Sequence, residues 1–372
     1  MLKGFYLTVY FNGSPAPREV IDAIISLSIT QAAGQTSGFQ MQLSTAKRSR
    51  ILTEYLPSGF FDPITTRVQL VVTISGQQNV LFDGLIARQE LGPSSDPGAS
   101  TLTITGEDLS LAMNLVELTG IPYPALTFEG RVALNLAPFL ALGLIPEIIP
   151  SVFVDLPNPL DRYGMHIGTC LGYIKYLASQ VGYVFYIAPT NTLGLNHAYW
   201  GPEIRWGEVQ PALTINSDAH TNVDSLSFSY DGTQAKLFAF MVQVPNTSVS
   251  IPIPVPNVGV LRPPLVSRQP IPFKLELLPD SHRLGPIRSA GISLAKAAEA
   301  ADCVTGQGSL NVLRYGRILK SRSPVDVRGA GRAYDGTYYV KSVTHSIKRG
   351  EYKQNFSLVR EGTVPLSSRV TV

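Results

Sequence analysis

The sequence predicts a mainly β fold with α+β parts: two similar small antiparallel β-barrels in one chain, plus two smaller α/β or extended insertion domains. Three observations carry that expectation. Short apolar segments alternate with period two toward both ends of the chain, the mark of half-buried strands. The period turns helical in between, over residues 107–181 and 289–301. The long hairpin-like stretch from Ala333 to Gly362 has a weaker echo near the N-terminus.

The elements follow in order. Phe5, Leu7, Val9 and Phe11 alternate with Tyr6, Thr8 and Tyr10 as a first strand, and Gly13 to Pro17 is a loop. Ile25, Leu27 and Ile29 mark a second strand, and Phe39, Met41 and Leu43 a third. Val68, Leu70, Val72 and Ile74 mark a fourth. Val80 to Leu91 and Thr101 to Thr105 read as a hairpin whose loop, Gly92 to Ala99, is Pro, Ser and Gly. Residues 1–110 are therefore expected as the first barrel.

Asp108 to Glu117 and Glu129 to Leu142 have helical spacing, with Pro138 bending or ending the second. Between Thr169 and Val181, Leu171, Ile174, Leu177, Ala178 and Val181 share one helical face, and Gly182 follows as a stop. Tyr183 to Ile187 is then a strand, so 111–210 is expected as a mixed α/β domain. Strand character returns at Leu213 to Ile215 and at Leu226, Phe228 and Tyr230. Pro245 to Pro286 holds ten of the 28 prolines, so a regular internal strand is not expected there. Ile251 to Pro256 alternates apolar residues with proline, which suits an extended arm or a sheet edge. An Ala-rich helix, Ser289 to Ala301, follows. The second barrel is expected to be discontinuous, 211–240 with 325–362, around an insertion at 241–324, and 363–372 is a tail.

In the final hairpin, Tyr338 to Ile347 is rich in Tyr, Val, Thr and Ile, which suit a pleated surface. Lys348-Arg349-Gly350-Glu351 is the turn. On the return strand Tyr352, Gln354, Phe356 and Leu358 share one face; Lys353, Asn355, Ser357 and Val359 share the other. The echo sets Leu27-Ser28-Ile29-Thr30 against Leu213-Thr214-Ile215-Asn216, and Phe39 to Leu43 against Leu226 to Tyr230. It sets Phe82-Asp83-Gly84 against Tyr334-Asp335-Gly336 and the hairpin that follows. A trimer of such subunits would present six similar surfaces, a pseudo-sixfold object able to dock onto a sixfold ring.

At 372 residues the chain has room for two or more domains. Only 15% of residues are charged and 44% are hydrophobic, which points to a surface covered by partners. A net charge of +3 does not by itself point to nucleic acid. Cys170 and Cys303 lie far apart and read as buried thiols. Leu2 to Phe11 is an alternating strand, not a signal peptide. The most apolar run, Val132 to Ile149, is interrupted by Pro138 and Pro146 and is short for a bilayer span. A soluble protein assembled in the cytoplasm, without membrane insertion, is expected.

Catalytic and cofactor signatures are missing. His166, His197, His220, His282 and His345 have no metal-ligand spacing. In Gly34 to Gly38 the Ser is misplaced for a nucleophile elbow. Gly306-Gln307-Gly308 and Gly329-Ala330-Gly331 lack the rest of a dinucleotide fingerprint. Asp224 and Asp231 are too generic a pair to support glycoside hydrolysis. No enzyme activity, cofactor or metal is expected. Between Arg314 and Lys353, ten Lys or Arg face only Asp326, Asp335 and Glu351. That excess reads as a solvated basic face, or as an electropositive lining or subunit contact that meets acidic partner surfaces. Specific nucleic-acid binding is not expected, because the interleaved aromatics are limited to Tyr338, Tyr339 and Tyr352.

Four segments, Gly308 to Leu319, Val325 to Gly331, Asp335 to His345 and Tyr352 to Gly362, together resemble the late control protein D family. These are baseplate central hub proteins of contractile phage tails and related injection systems, similar to the N-terminal hub of type VI secretion spike proteins. Phe82 to Ile86, Gly106 to Ser110, Leu177 to Tyr186 and His220 to Phe228 support the resemblance. It implies a structural homotrimer with two barrels per subunit, adapting the hexameric inner tube to a trimeric spike and letting tube contents pass. The implied partners are an inner tube protein, a separate spike protein and other baseplate proteins. The implied location is a virion tail baseplate or a phage-tail-like injection particle. Ten residues follow Gly362, too few for a fused spike, and this tail is expected to reach toward the separate one. The hairpins Val80 to Thr105 and Tyr338 to Arg360 are the expected tube- and neighbour-facing elements. Lys341, Lys348, Arg349, Tyr352, Lys353, Arg360, Asp83 and Asp335 are the interface candidates. Two other functions stay open: a cell-wall-degrading, lysozyme-like tail enzyme, and a carbohydrate-binding β-module stacking sugars on Tyr199, Trp200 and Trp206.

Overall fold

The computed structural model describes residues 4–94, 100–151, 164–243, 250–256, 262–279 and 286–366. It is mainly antiparallel β with a few helices. The first strands are β1 (Phe5–Phe11), β2 (Ile24–Ala32), β3 (Gly38–Thr45), β4 (Arg67–Ile74), β5 (Gln77–Gly92) and β6 (Ser100–Asp108). A mixed block follows: α1 (Phe128–Leu136), β7 (Leu144–Ile148), α2 (Cys170–Val181), β8 (Val184–Pro189) and β9 (Asn196–Gly201). Then come β10 (Gln210–Thr214) and β11 (Ser225–Tyr230). An inserted unit holds β12 (Lys236–Gln243), β13 (Ser250–Val255), β14 (Lys274–Leu277) and α3 (Pro286–Glu299). The chain then adds β15 (Val304–Asn311), β16 (Pro324–Arg328), β17 (Gly336–Lys348) and β18 (Glu351–Arg360).

One 13-stranded sheet holds β1–β6, β10, β11 and β15–β18, with the two-residue strand Ser14–Pro15 beside β1. It resolves into two halves, β1-β4-β5-β6-β3-β2 and β10-β16-β17-β18-β15-β11. Counted in chain order, both halves read 1-4-5-6-3-2. Within the halves one pairing departs: β1 and β4 are antiparallel, whereas β10 and β16 are parallel. The fifth strand of each half is bulged at the same place. Ile86 pairs with Gly106 and Arg88 with Thr105, leaving Ala87 over; Val340 pairs with Leu358 and Ser342 with Ser357, leaving Lys341 over. A bulge adds one unpaired residue and bends its strand, so two matching bulges fix the register of the repeat.

The register can be carried across each half. Gly106 pairs with Phe39, which pairs with Ile29; Leu358 pairs with Gly306, which pairs with Phe228. Ile29 therefore corresponds to Phe228, and Leu27 to Leu226. The hairpins β5–β6 and β17–β18 correspond, as the sequence echo has them. The earlier strands slide by one element relative to that echo, because Leu213-Thr214-Ile215 imitates the Leu-x-Ile run of β2. The counterpart of β3 is β15, which lies inside the segment expected as an insertion. Among the described residues the ladder stays open, ending at Ser14–Pro15 on one side and at β11 on the other.

One apolar core runs through both halves, with Val9, Leu70, Phe82 and Ile104 from the first and Leu213, Val304, Tyr338 and Leu358 from the second. The mixed block has its own core of Val132, Leu136, Ile174, Leu177 and Trp200, onto which α3 packs Leu294, Ala295 and Ala298. In α2 the five apolar residues of the expected face are buried, Thr169 caps the start through Gly172 N, and Gly182 ends it at φ 72°. Helix α1 gives way at Pro138 to a 3₁₀ turn, Ala137–Leu142.

β13 is the edge of the sheet β13-β12-β14. Its Pro252 and Pro254 carry no N–H, which blunts pairing with another strand. Thr363–Pro365 pairs with Val266–Arg268. Residues 367–372 of the expected tail lie outside the described residues, as do 95–99 of the β5–β6 loop and parts of the Pro-rich segment. No helix among the described residues is long and apolar enough to cross a membrane.

Candidate interaction surfaces

The two halves join edge to edge. β17 pairs with β2 from Ser342–Ala32 to Lys348–Ser26, and Thr344 stands opposite Thr30. This joint uses the part of the fifth strand that its own fourth strand leaves free, since β16 covers β17 only over Gly336–Tyr339. The equivalent edges elsewhere are open among the described residues. β4 covers β5 only as far as Leu85, and β11 pairs with β15 alone. Leu91 on one open edge is 41% exposed and Tyr230 on the other 46%, so each edge offers apolar surface together with unpaired backbone.

The residues singled out in the sequence divide by location. Lys341, Lys348, Arg349 and Lys353 are exposed, and Asp335 is half-buried. Arg349 donates to the carbonyl of Asp22, and Lys353 pairs with Glu351 at 2.6 Å. Asp335 accepts from Ala330 N at 2.8 Å and shapes the loop ahead of β17. Tyr352, Arg360 and Asp83 lie inside the chain.

The reasons for their burial are local. Tyr352 belongs to the inward face with Gln354, Phe356 and Leu358, and its hydroxyl lies 2.7 Å from His345 Nδ1. Burial pushes its pKa up. Arg360 donates to the carbonyls of Gly362, Asp335 and Ala333 at 2.8–3.0 Å and lies over the Tyr338 ring at 4.1 Å. It ties the end of the hairpin to its beginning. Asp83 takes a bidentate pair from Arg67 at 2.6 and 2.8 Å, and further bonds from Gln69 and Asn196. Arg67 also reaches the carbonyls of Leu142 and Gly194, so this cluster clamps the first half of the sheet to the mixed block.

A second buried ion cluster carried no sequence signal, because its members come from separate segments. Arg205 pairs bidentately with Asp302 at 2.7 Å and with Glu203 at 3.0 Å, and Arg262 pairs with both acids. Burial alone would weaken the Arg205 charge; the two carboxylates outweigh it and raise its pKa. The inserted unit is thereby tied to the strand-rich part beside Tyr339. On that unit Ile271, Phe273, Leu275 and Leu277 occupy alternate positions and are exposed, Phe273 at 90%. The expected basic stretch is dispersed: Arg314 pairs with Asp224, while Arg317, Lys320 and Arg332 stand in solvent. Of the aromatics considered for sugars, Tyr199 and Trp200 are buried and Trp206 is exposed. Cys170 and Cys303 are buried free thiols.

No protein-family model matches the sequence, and no curated protein matches it. Solved structures do. A tail protein from Neisseria meningitidis MC58 superposes with a TM-score of 0.65 at 13% identity, covering 97% of this chain and 98% of that one. The 43 kDa tail protein of prophage MuSo2 from Shewanella oneidensis gives 0.62 at 13% identity, covering 96% and 99%. An E. coli component of the type VI secretion system, described as structurally similar to T4 bacteriophage tail proteins gp27 and gp5, gives 0.56 at 11% identity, covering 98% and 78%. The chain thus has, over nearly its whole length, the fold of these phage tail and type VI secretion proteins.

Proposed function

We propose that the chain is the structural baseplate hub of a contractile tail or injection machine. It acts as a homotrimer that adapts the hexameric inner tube to a trimeric spike and lets tube contents pass. The observation that carries this reading is the joint between β17 and β2, whose counterpart edges on β5 and β11 are unpaired among the described residues. Matching bulges give the register of a second joint, between copies: Gln89 against Tyr230, Glu90 against Ser229, Leu91 against Phe228 and Gly92 against Ser227. Joining head to tail in this way is a heterologous contact, and a 120° rotation closes it after three copies. Six barrel-like halves would then alternate within-chain and between-chain joints around one axis.

The role is mechanical. The mixed block and inserted unit would sit outside the ring, and Lys341, Lys348, Arg349 and Lys353 would be available to the tube or a neighbour. The spike, tube and other baseplate proteins are the partners, in a virion tail or a phage-tail-like particle. The fold shared with the tail proteins and the type VI secretion component supports this assignment. Light scattering after gel filtration tests it: the mass should be three times the 40.3 kDa of one chain, with sixfold-looking rings in micrographs and retention of the tube protein. A monomer under assembly conditions that retains no tube protein contradicts it.

A further inference from the structure

A cavity of about 210 Å³ lies where five segments meet: β2, the start of β5, the end of β8 with Asn191 beyond it, the loop 318–323 before β16, and β17. Gln31, Tyr186, Asn191, Lys320, Arg322 and His345 are among its lining residues, and none of the described lining residues is Asp or Glu. Its volume would hold about seven waters, or one tetrahedral oxyanion with a few waters.

Arg322 and Lys320 have hydrogen-bonding capacity to spare, and the lining residue His345 carries a buried, unmatched donor. Gln354 is fixed by Leu319, receiving from its N–H at 2.9 Å and donating to its carbonyl at 2.8 Å. The Gln354 amide nitrogen therefore faces His345 Nδ1, at 3.4 Å, as does the Tyr352 hydroxyl at 2.7 Å. A ring nitrogen that faces an amide donor is an acceptor, so the hydrogen is on Nε2. That Nε2–H is buried and has no partner among the described residues. A buried donor left unmatched is a cost that the folded chain carries.

Arg322 is half-buried and held at φ 61°. Its Nε and Nη2 are used on the Ala32 carbonyl and the Ser37 hydroxyl, and its plane lies over the Tyr186 ring at 4.0 Å. Its Nη1 has no acceptor among the described residues. Burial lowers the Arg322 pKa, as it does for a cation short of counter-charge. Asp108 acts on it from a distance, but is itself held by the N–H groups of Ser37 and Ser110 and does not line the cavity. Lys320 is exposed at the rim and forms no ion pair among the described residues.

We infer that this cavity is a binding site for a small oxyanion of the inorganic phosphate class, held by Arg322 Nη1 and Lys320 beside the buried His345. Two cations, with no carboxylate among the described lining residues, favour an anion over water alone. The bound anion neutralises the two cations of the loop 318–323, so it stabilises the folded chain by mass action. The site stands on one chain's own geometry and is independent of the proposed ring.

The test uses the full chain, with inorganic phosphate titrated against chloride at constant ionic strength and pH 7.5. Phosphate should raise the unfolding temperature saturably and give a single-site heat in calorimetry. Lys320→Gln should weaken binding roughly tenfold, the loss of one charge-assisted contact, while leaving the unfolding temperature without phosphate unchanged. The His345 Nε2–H proton signal should shift on titration in both proteins. Equal responses to phosphate and chloride, a Lys320→Gln protein that binds as well as the parent, or an unmoved His345 signal would each overturn the site and leave the cavity to water.

Discussion

Thr30 and Thr344 are separated by more than three hundred positions in the chain, yet their hydroxyl oxygens lie 3.2 Å apart across the joint of the two half-sheets. A cross-strand Thr pair contributes only about 0.2–1 kcal/mol. Its importance is as a marker of register. The positions equivalent to Thr344 and Thr30 on the open edges are Glu90 and Ser229.

Leu91→Asp or Tyr230→Asp places a charge on one of those edges. Both side chains are exposed, so the single chain should unfold within about 0.5 kcal/mol of the parent in urea. The proposed trimer should dissociate, read by light scattering after gel filtration. A variant that stays trimeric would place the subunit contact elsewhere.

Arg360→Lys should destabilise the chain by about 2–3 kcal/mol, because an ammonium cannot serve three separated carbonyls and stack on Tyr338 as a guanidinium does. Hydrogen exchange should quicken most around 333–336. A loss under about 0.5 kcal/mol, the range of an ordinary surface change, would show that Arg360 does not tie the end of the hairpin to its beginning.

Asp83→Ala leaves Arg67 facing a gap between the sheet and the mixed block. The Asp83 side chain is 1% exposed and that of Arg67 22%, so removing the acid should cost about 3–5 kcal/mol in denaturant unfolding. Replacing the exposed Glu90 by Ala should cost little.

The buried His345 sets a pH response. Burial depresses its pKa from 6.5 to about 3, so the unfolded chain binds the proton more readily. The stability tied to it is full above pH 6.5 and is lost as pH falls toward 3. Over that window the loss is roughly 5 kcal/mol. His166, beside Tyr123, is also lowered by burial and adds in the same direction. His345→Gln should flatten the loss of stability between pH 6.5 and 4.5; an unchanged slope would assign the response to other groups.

Much of the fold is legible in the sequence because strand alternation and helix periodicity are local signals. Tyr352, Gln354, Phe356 and Leu358 point inward as their spacing requires, and Gly350 takes φ 75° in the expected turn. What is not legible depends on distant chain. The true partner of β3 in the repeat is displaced by the inserted unit. Arg360 and Asp83 look like surface residues by charge, and only the carbonyls and cations brought to them by other segments make their burial tolerable. The clusters around Arg205 and Arg322 are assembled from segments that sequence spacing cannot bring together.

The between-copy joint is the central claim, and a disulfide measures it most directly. In the within-chain joint the Thr30 and Thr344 side chains touch, so cysteines at Glu90 and Ser229 should fall within bonding range of the neighbouring copy. Thr30→Cys with Thr344→Cys is the control and should close within one chain, running as a monomer on a non-reducing gel. Glu90→Cys with Ser229→Cys should run as a ladder that ends at the trimer and collapses on reduction. A control that closes while the Glu90–Ser229 pair stays monomeric, or a ladder that continues past three, would contradict the account.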